Sequence, residues 1–168
     1  MAFILIKFII YPLIGLVFGT NYPIVAVVSE SMEHNQRFDS WWANNKAFYE
    51  QRNITKEEFR DYPFTGGFNK GDIMVLVGKD PTTIDQGDVI VFHSAKPYPI
   101  IHRVVAVENG YFQTKGDNNP TQIVLPELNE KYVPHNYLFG KAVARVPFIG
   151  YVKIWFVELL NLLGIPAV

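Results

Sequence analysis

IIHRVVAVENGYFQTKG (100–116) is the stretch that decides the fold. β-Branched and aromatic residues fill both arms, and Asn109-Gly110 between them favours a tight two-residue reversal because glycine and asparagine tolerate left-handed backbone. The stretch predicts two antiparallel strands, 100–108 and 110–116. The same signature recurs outward along the chain in IVAVV (24–28), DIMVLVG (72–78), DVIVFHS (88–94) and YLFGKAVARV (137–146). Gly-Asp pairs at 71–72, 87–88 and 116–117 place a conformationally free residue at strand boundaries. Short strands at this spacing predict a mainly β domain over 22–150, a sandwich or a barrel-like sheet.

Residues 33–69 interrupt that pattern with polar, charged and aromatic sequence, including nine aromatics between Phe38 and Phe68. Thr55 with Glu58 reads as a capping box, so a short helix is expected from about 56. An earlier helix over 41–52 is expected, capped by Asp39 or Ser40. The segment reads as a helical insertion whose aromatics pack on the sheet; a second reading puts Trp41 and Trp42 at a membrane interface, where indoles are enriched.

The ends are apolar. AFILIKFIIYPLIGLVFGT (2–20) carries one charge, Lys7. As a helix it would span roughly 28 Å, close to the hydrocarbon thickness of a bilayer. The region 1–21 is therefore expected to be a single transmembrane anchor. The amino terminus and Lys7 are the only positive charges before Arg37, which places the N-terminus in the cytoplasm and the rest of the chain outside the cell membrane. The tail, 151–168, has a one-sided polar face formed by Tyr151, Lys153, Glu158 and Asn161, which predicts an amphipathic helix lying on the membrane or the sheet.

Composition limits the chemistry. The chain of 168 residues has a net charge of −1, so no global basic field points to nucleic acid. It has no cysteine, which removes thiol catalysis, zinc–thiolate sites and disulfides. No cluster of metal ligands stands out, and no cofactor is expected. With four serines and four histidines in all, few Ser–His pairs are available. Ser31, in Ser29-Glu30-Ser31-Met32, follows the first strand and a putting of its hydroxyl at a strand end would hold it rigidly while leaving it accessible. His102 lies in the apolar run IIHRVV, where a lone histidine is commonly a satisfied core residue. Asp117 follows one hairpin later and could return to the same end as His102. This geometry allows a Ser31–His102–Asp117 triad without demanding it. Arg103, next to His102, is expected to face the other way and pair with an acid. His34, His93 and His135 read as loop or strand-end residues.

Six blocks in order extend this reading: SESM (29–32), KGDIMVLVG (70–78), QGDVIVF (86–92), IIHRVVAV (100–107), FQTKGDNNP (112–120) and GKAVARVPFIGYV (140–152). In that order they resemble the type I signal peptidases, specifically the archaeal and endoplasmic-reticulum form, in which histidine stands where the bacterial branch uses lysine. The resemblance implies a β-rich catalytic domain of complex barrel type behind an N-terminal membrane helix. It also implies a serine endopeptidase that removes signal peptides from secreted or membrane precursors after small residues, at the outer membrane surface. By the same resemblance Ser31 is the nucleophile, His102 the general base and Asp117 its support, with the Ser31 N–H and the Ser29 hydroxyl meeting the oxyanion. Precursor proteins and membrane lipid are the implied partners. A catalytically silent, membrane-tethered binding domain is the alternative of a different class. The chain departs from the family pattern in two places. A further acid usually follows the GDNN aspartate by five or six residues, where this chain has Gln122 and Ile123, leaving Glu127 as one substitute. The insertion after SESM is also unusually long.

Overall fold

Nine strands organise the protein in a computed structural model that describes residues 6–147. They are β1 (Ile24–Ala26), β2 (Ile73–Val77), β3 (Val89–Phe92), β4 (Ile100–Glu108), β5 (Tyr111–Lys115), β6 (Val124–Leu125), β7 (Leu128–Asn129), β8 (Val133–Pro134) and β9 (Leu138–Val146). Seven of them form one antiparallel sheet in the order β1-β2-β9-β3-β4-β5-β8, and β6 pairs with β7 in a small separate hairpin. The six expected strand regions and the Asn109-Gly110 reversal are present, with Gly110 at φ 91°. The short β6, β7 and β8 were not expected: two-residue strands carry no periodicity to read.

The register of the central hairpin matters most for the site. Glu108 pairs with Tyr111, Val107 with Phe112 and Ala106 with Gln113, after which the register slips by one residue, so that Val104 pairs with Thr114 and Arg103 with Lys115. The extra residue, Val105, is a β-bulge. Because side chains alternate faces with a period of two, a one-residue slip exchanges which side chains share a face.

The sheet buries an apolar face of Val27, Met32, Met74, Leu76, Val89 and Val91 among others. Two helices, α2 (Phe38–Glu50) and α3 (Lys56–Asp61), form the insertion. The capping box is made on both sides, with the Thr55 N–H donating to Glu58 and the Glu58 N–H donating to Thr55 Oγ1; such a cap is worth about 1 kcal/mol. The earlier helix begins at Phe38 after Arg37, with no side-chain cap from Asp39 or Ser40. Trp41 and Trp42 are buried with Tyr49, Ile54, Phe59 and Val105. They pack the insertion onto the β4 bulge and do not face a membrane, as one reading of the sequence had it.

At the N-terminal end a π-helical turn (Ile6–Ile10) leads into α1 (Tyr11–Phe18), which ends at Gly19 in the left-handed region. The helix is tied to the sheet by the Gly78 N–H donating to the Phe18 carbonyl and by Thr20 Oγ1 donating to the Phe139 carbonyl. Phe8, Ile9, Leu13, Leu16 and Val17 are exposed along it. Among the described residues no helix is long and apolar enough to cross a membrane. The expected C-terminal helix over 151–168 lies outside the described residues.

Candidate active site

Ser31 does not sit at the end of a strand. β1 closes at Ala26, five residues earlier, and Ser31 lies in a turn. Its neighbours hold it. Met32 is fully buried in the core of the sheet, and its carbonyl accepts from Phe68 N–H. The Ser31 carbonyl accepts from the Asn118 N–H at 2.8 Å, and Asn118 Nδ2 donates to the Glu30 carbonyl at 3.1 Å. The GDNN loop thus clamps the segment carrying the hydroxyl.

β4 delivers His102, 4 % exposed, with Nε2 2.9 Å from Ser31 Oγ. Gly116 lies against this contact, where an added Cβ would stand 2.9 Å from His102 Nε2 and 2.8 Å from the Ser31 carbonyl oxygen. Only a residue without a side chain leaves the hydroxyl and imidazole free to meet there. Ser29 Oγ is 3.1 Å from Ser31 Oγ, placing a second hydroxyl beside the first.

The far nitrogen of the imidazole, Nδ1, meets Glu130 Oε1 at 2.5 Å. Glu130 is fully buried and accepts at Oε2 from the Ile123 N–H and at Oε1 from Thr114 Oγ1. The β6–β7 hairpin brings it there. It folds the chain back so that the Glu130 N–H donates to the Ile123 carbonyl and the Thr114 N–H donates to the Glu130 carbonyl. Gln122 braces the same place, donating to the Thr114 and Glu130 carbonyls while accepting from Arg52. Glu127, at the hairpin turn, is exposed.

Asp117 is brought close to the loop that carries Ser31, and its hydrogen bonds among the described residues go to groups other than His102. Its carboxylate accepts from Arg103 Nε at 2.9 Å and Nη2 at 2.7 Å, from His34 Nε2 at 3.0 Å and from the Tyr49 hydroxyl at 3.3 Å. Burial works against its charge, yet the Arg103 charge and the bonds from His34 and Arg103 outweigh it and hold the carboxyl well below the usual range. Arg103 is itself fully buried and also donates to the carbonyls of Pro63, Phe64 and Gly87. Nearby, Lys115 forms no ion pair with a carboxylate among the described residues; its ammonium donates to the carbonyls of Gly116 and Asp117, and burial lowers its pKa to about 8.

The bulge explains this division. Continued unbroken from the Asn109-Gly110 turn, the hairpin register would set His102 opposite Asp117; with Val105 looped out, Asp117 falls on the face of Arg103. The expectation that Arg103 faces away from His102 and pairs with an acid fits this geometry, and the acid is Asp117. Sequence reasoning missed Glu130 for the role at Nδ1. The available signal was Pro126-Glu127 between two short apolar pairs, a turn returning the following acid toward β5.

A hydroxyl bonded to one imidazole nitrogen, with a buried carboxylate on the other, is the arrangement of a serine hydrolase. No family model matches the chain. It is 33% identical over 174 residues to the signal peptidase complex catalytic subunit SEC11 of Komagataella phaffii, covering 92% of this chain and 80% of that protein. Similar subunits from Lodderomyces elongisporus and Pyricularia oryzae are 35% and 33% identical, over 60% and 54% of this chain and 68% and 57% of theirs. The chain belongs to the signal peptidase family of the endoplasmic-reticulum and archaeal type, whose members are serine endopeptidases.

Proposed function

We propose that the chain removes N-terminal signal peptides from secreted or membrane precursors, cutting after small residues at the outer membrane surface, with Ser31 as nucleophile and His102 as general base. The observation that carries the reading is the 2.9 Å contact between Ser31 Oγ and His102 Nε2, backed by Glu130 at Nδ1. Ser31 Oγ attacks the scissile carbonyl carbon as its proton passes to Nε2. Glu130 fixes the tautomer and stabilises the imidazolium that forms. The developing oxyanion is met by the Ser31 N–H and the Ser29 hydroxyl. The imidazolium then protonates the leaving amine, and water, deprotonated by the same imidazole, hydrolyses the acyl ester. Asp117, committed to Arg103, supports this line through the GDNN loop and makes no contact with the imidazole.

The apolar N-terminal segment, 1–21, anchors the chain in the cell membrane as a single pass with its N-terminus in the cytoplasm and its catalytic domain outside. Exposed Leu13, Leu16 and Val17 on α1 support the anchor. The relatives' description as catalytic subunits of a signal peptidase complex supports signal-bearing precursors as substrates.

The test is cleavage of a purified signal-bearing precursor by the full chain in lipid vesicles. Ser31→Ala is expected to lower kcat by roughly a millionfold. Undiminished cleavage would remove Ser31 from the mechanism and favour a silent binding domain.

A further inference from the structure

We propose that His34 and Tyr49, both contributed by the insertion, are positioning residues for Ser31, acting through Asp117 on the loop that clamps the nucleophile. The inference rests on Ser31 being the nucleophile and assigns the long insertion a part in its reaction.

The contacts form a continuous path. Trp41 of α2 stacks on His34 with ring centroids 3.7 Å apart and planes 9° apart, which fixes the plane of the imidazole. His34 Nε2 then meets Asp117 Oδ2, and its Nδ1 is buried without a hydrogen-bond partner among the described residues. An ionised carboxylate only accepts, so Nε2 carries the proton and donates. From the next part of α2, the Tyr49 hydroxyl donates to Asp117 Oδ1 and accepts from Lys115 Nζ at 3.4 Å. Burial, with the charge of Asp117, raises the phenol well above its usual pKa and keeps it a donor. Asp117 is thereby held from the insertion side by His34 and Tyr49 and from the sheet side by Arg103. The residue after it, Asn118, makes two bonds to the segment that carries Ser31, one from its N–H to the Ser31 carbonyl and one from its side chain to the Glu30 carbonyl, and the Asp117 N–H adds a third to Met32 Sδ. Tilting the Asp117 carboxylate moves Asn118, and with it the distance from Ser31 Oγ to His102.

The alternatives for these side chains are weaker. His34 points at Asp117 and makes no bond to Ser31, so it does not compete with His102 as base. Tyr49 is fully buried, and its hydroxyl bonds only into this cluster among the described residues. The aromatic packing of α2 with Trp42 and Phe59 is independent of the two polar contacts and survives their removal.

The experiment compares Tyr49→Phe, His34→Leu and His34→Gln with the unaltered full chain in vesicles. It measures kcat and KM on a signal-bearing precursor, melting temperature, and hydrogen exchange of individual amides. A hydrogen bond to a charged group contributes about a tenfold effect. Tyr49→Phe and His34→Leu are expected to lower kcat about tenfold with KM changed less than about twofold. The Asn118 amide should exchange about tenfold faster while amides of β3 and β4 keep their rates. His34→Gln, which restores a donor at the same reach, should recover most of kcat and of the Asn118 protection. Unchanged exchange at Asn118 in both disruptive variants overturns the proposal, as does acceleration shared equally by β3 and β4, which marks general destabilisation. If the unaltered chain shows no Ser31-dependent cleavage, the proposed function falls, and Asn118 exchange still decides the positioning path.

Discussion

Asp117 and Glu130 are both fully buried and both reach β4, yet they meet opposite faces of it. Asp117 sits among donors that neutralise it: a fully buried guanidinium, an imidazole and a phenol. Among the described residues no arginine bonds to the Glu130 carboxylate. It accepts from a backbone N–H and a threonine hydroxyl and leaves Oε1 aimed at the imidazole of His102. The first carboxylate is committed to a structural ion pair; the second faces the ring that takes up the proton in the proposed reaction. Burial is alike for the two, so it does not separate them; the identity of the partner does.

Variants at the two acids sharpen the contrast. Glu130→Gln keeps volume and an acceptor but removes the charge opposing the imidazolium. Its kcat is expected to fall by about ten-thousandfold with the melting temperature little changed, measured on the same precursor. Asp117→Asn should act mainly on stability, with kcat lowered only about tenfold through the loop that clamps Ser31. It leaves Arg103 buried without a counter-charge, and loss of one partner of a buried pair costs about 3–5 kcal/mol, read by denaturant unfolding. The pH dependence follows from the same pair. The Asp117 carboxyl lies below its ordinary value in the folded protein, so its contribution is complete above the ordinary carboxylate pKa and is lost as pH falls toward the folded one. Asp117→Asn should lack that acid-side loss. Ser29→Ala tests the oxyanion side, with kcat expected to drop by about a hundred- to a thousandfold and KM nearly constant.

Much of the sheet was legible in the sequence, because strands such as IIHRVVAVE carry period and composition over nine residues. The resemblance brought Ser31 and His102 forward as a pair, and the structure sets them within hydrogen-bond reach. The resemblance likewise offered Asp117 as the support of His102, and a hairpin without a bulge would allow it. The bulge at Val105 leaves no compositional mark within RVVAVE, and it moves Asp117 to the face of Arg103. The position of Glu130 depends on a hairpin of two-residue strands, too short for any periodic signal, and on Gln122 occupying the place where relatives of this type commonly carry an acid. The insertion's two tryptophans were legible as packing residues, whereas the His34 contact depends on a ring stack between residues in different elements.

The central claim is that Glu130 works through the Ser31–His102 line. Measuring kcat for Ser31→Ala, Glu130→Gln and the double variant on one precursor tests it most directly, since residues acting as a unit are strongly non-additive. The account predicts that the double variant is as slow as Ser31→Ala alone. A double variant slower by a further factor of about ten-thousand, the full effect of Glu130→Gln, would show that Glu130 acts independently of the nucleophile and would contradict it.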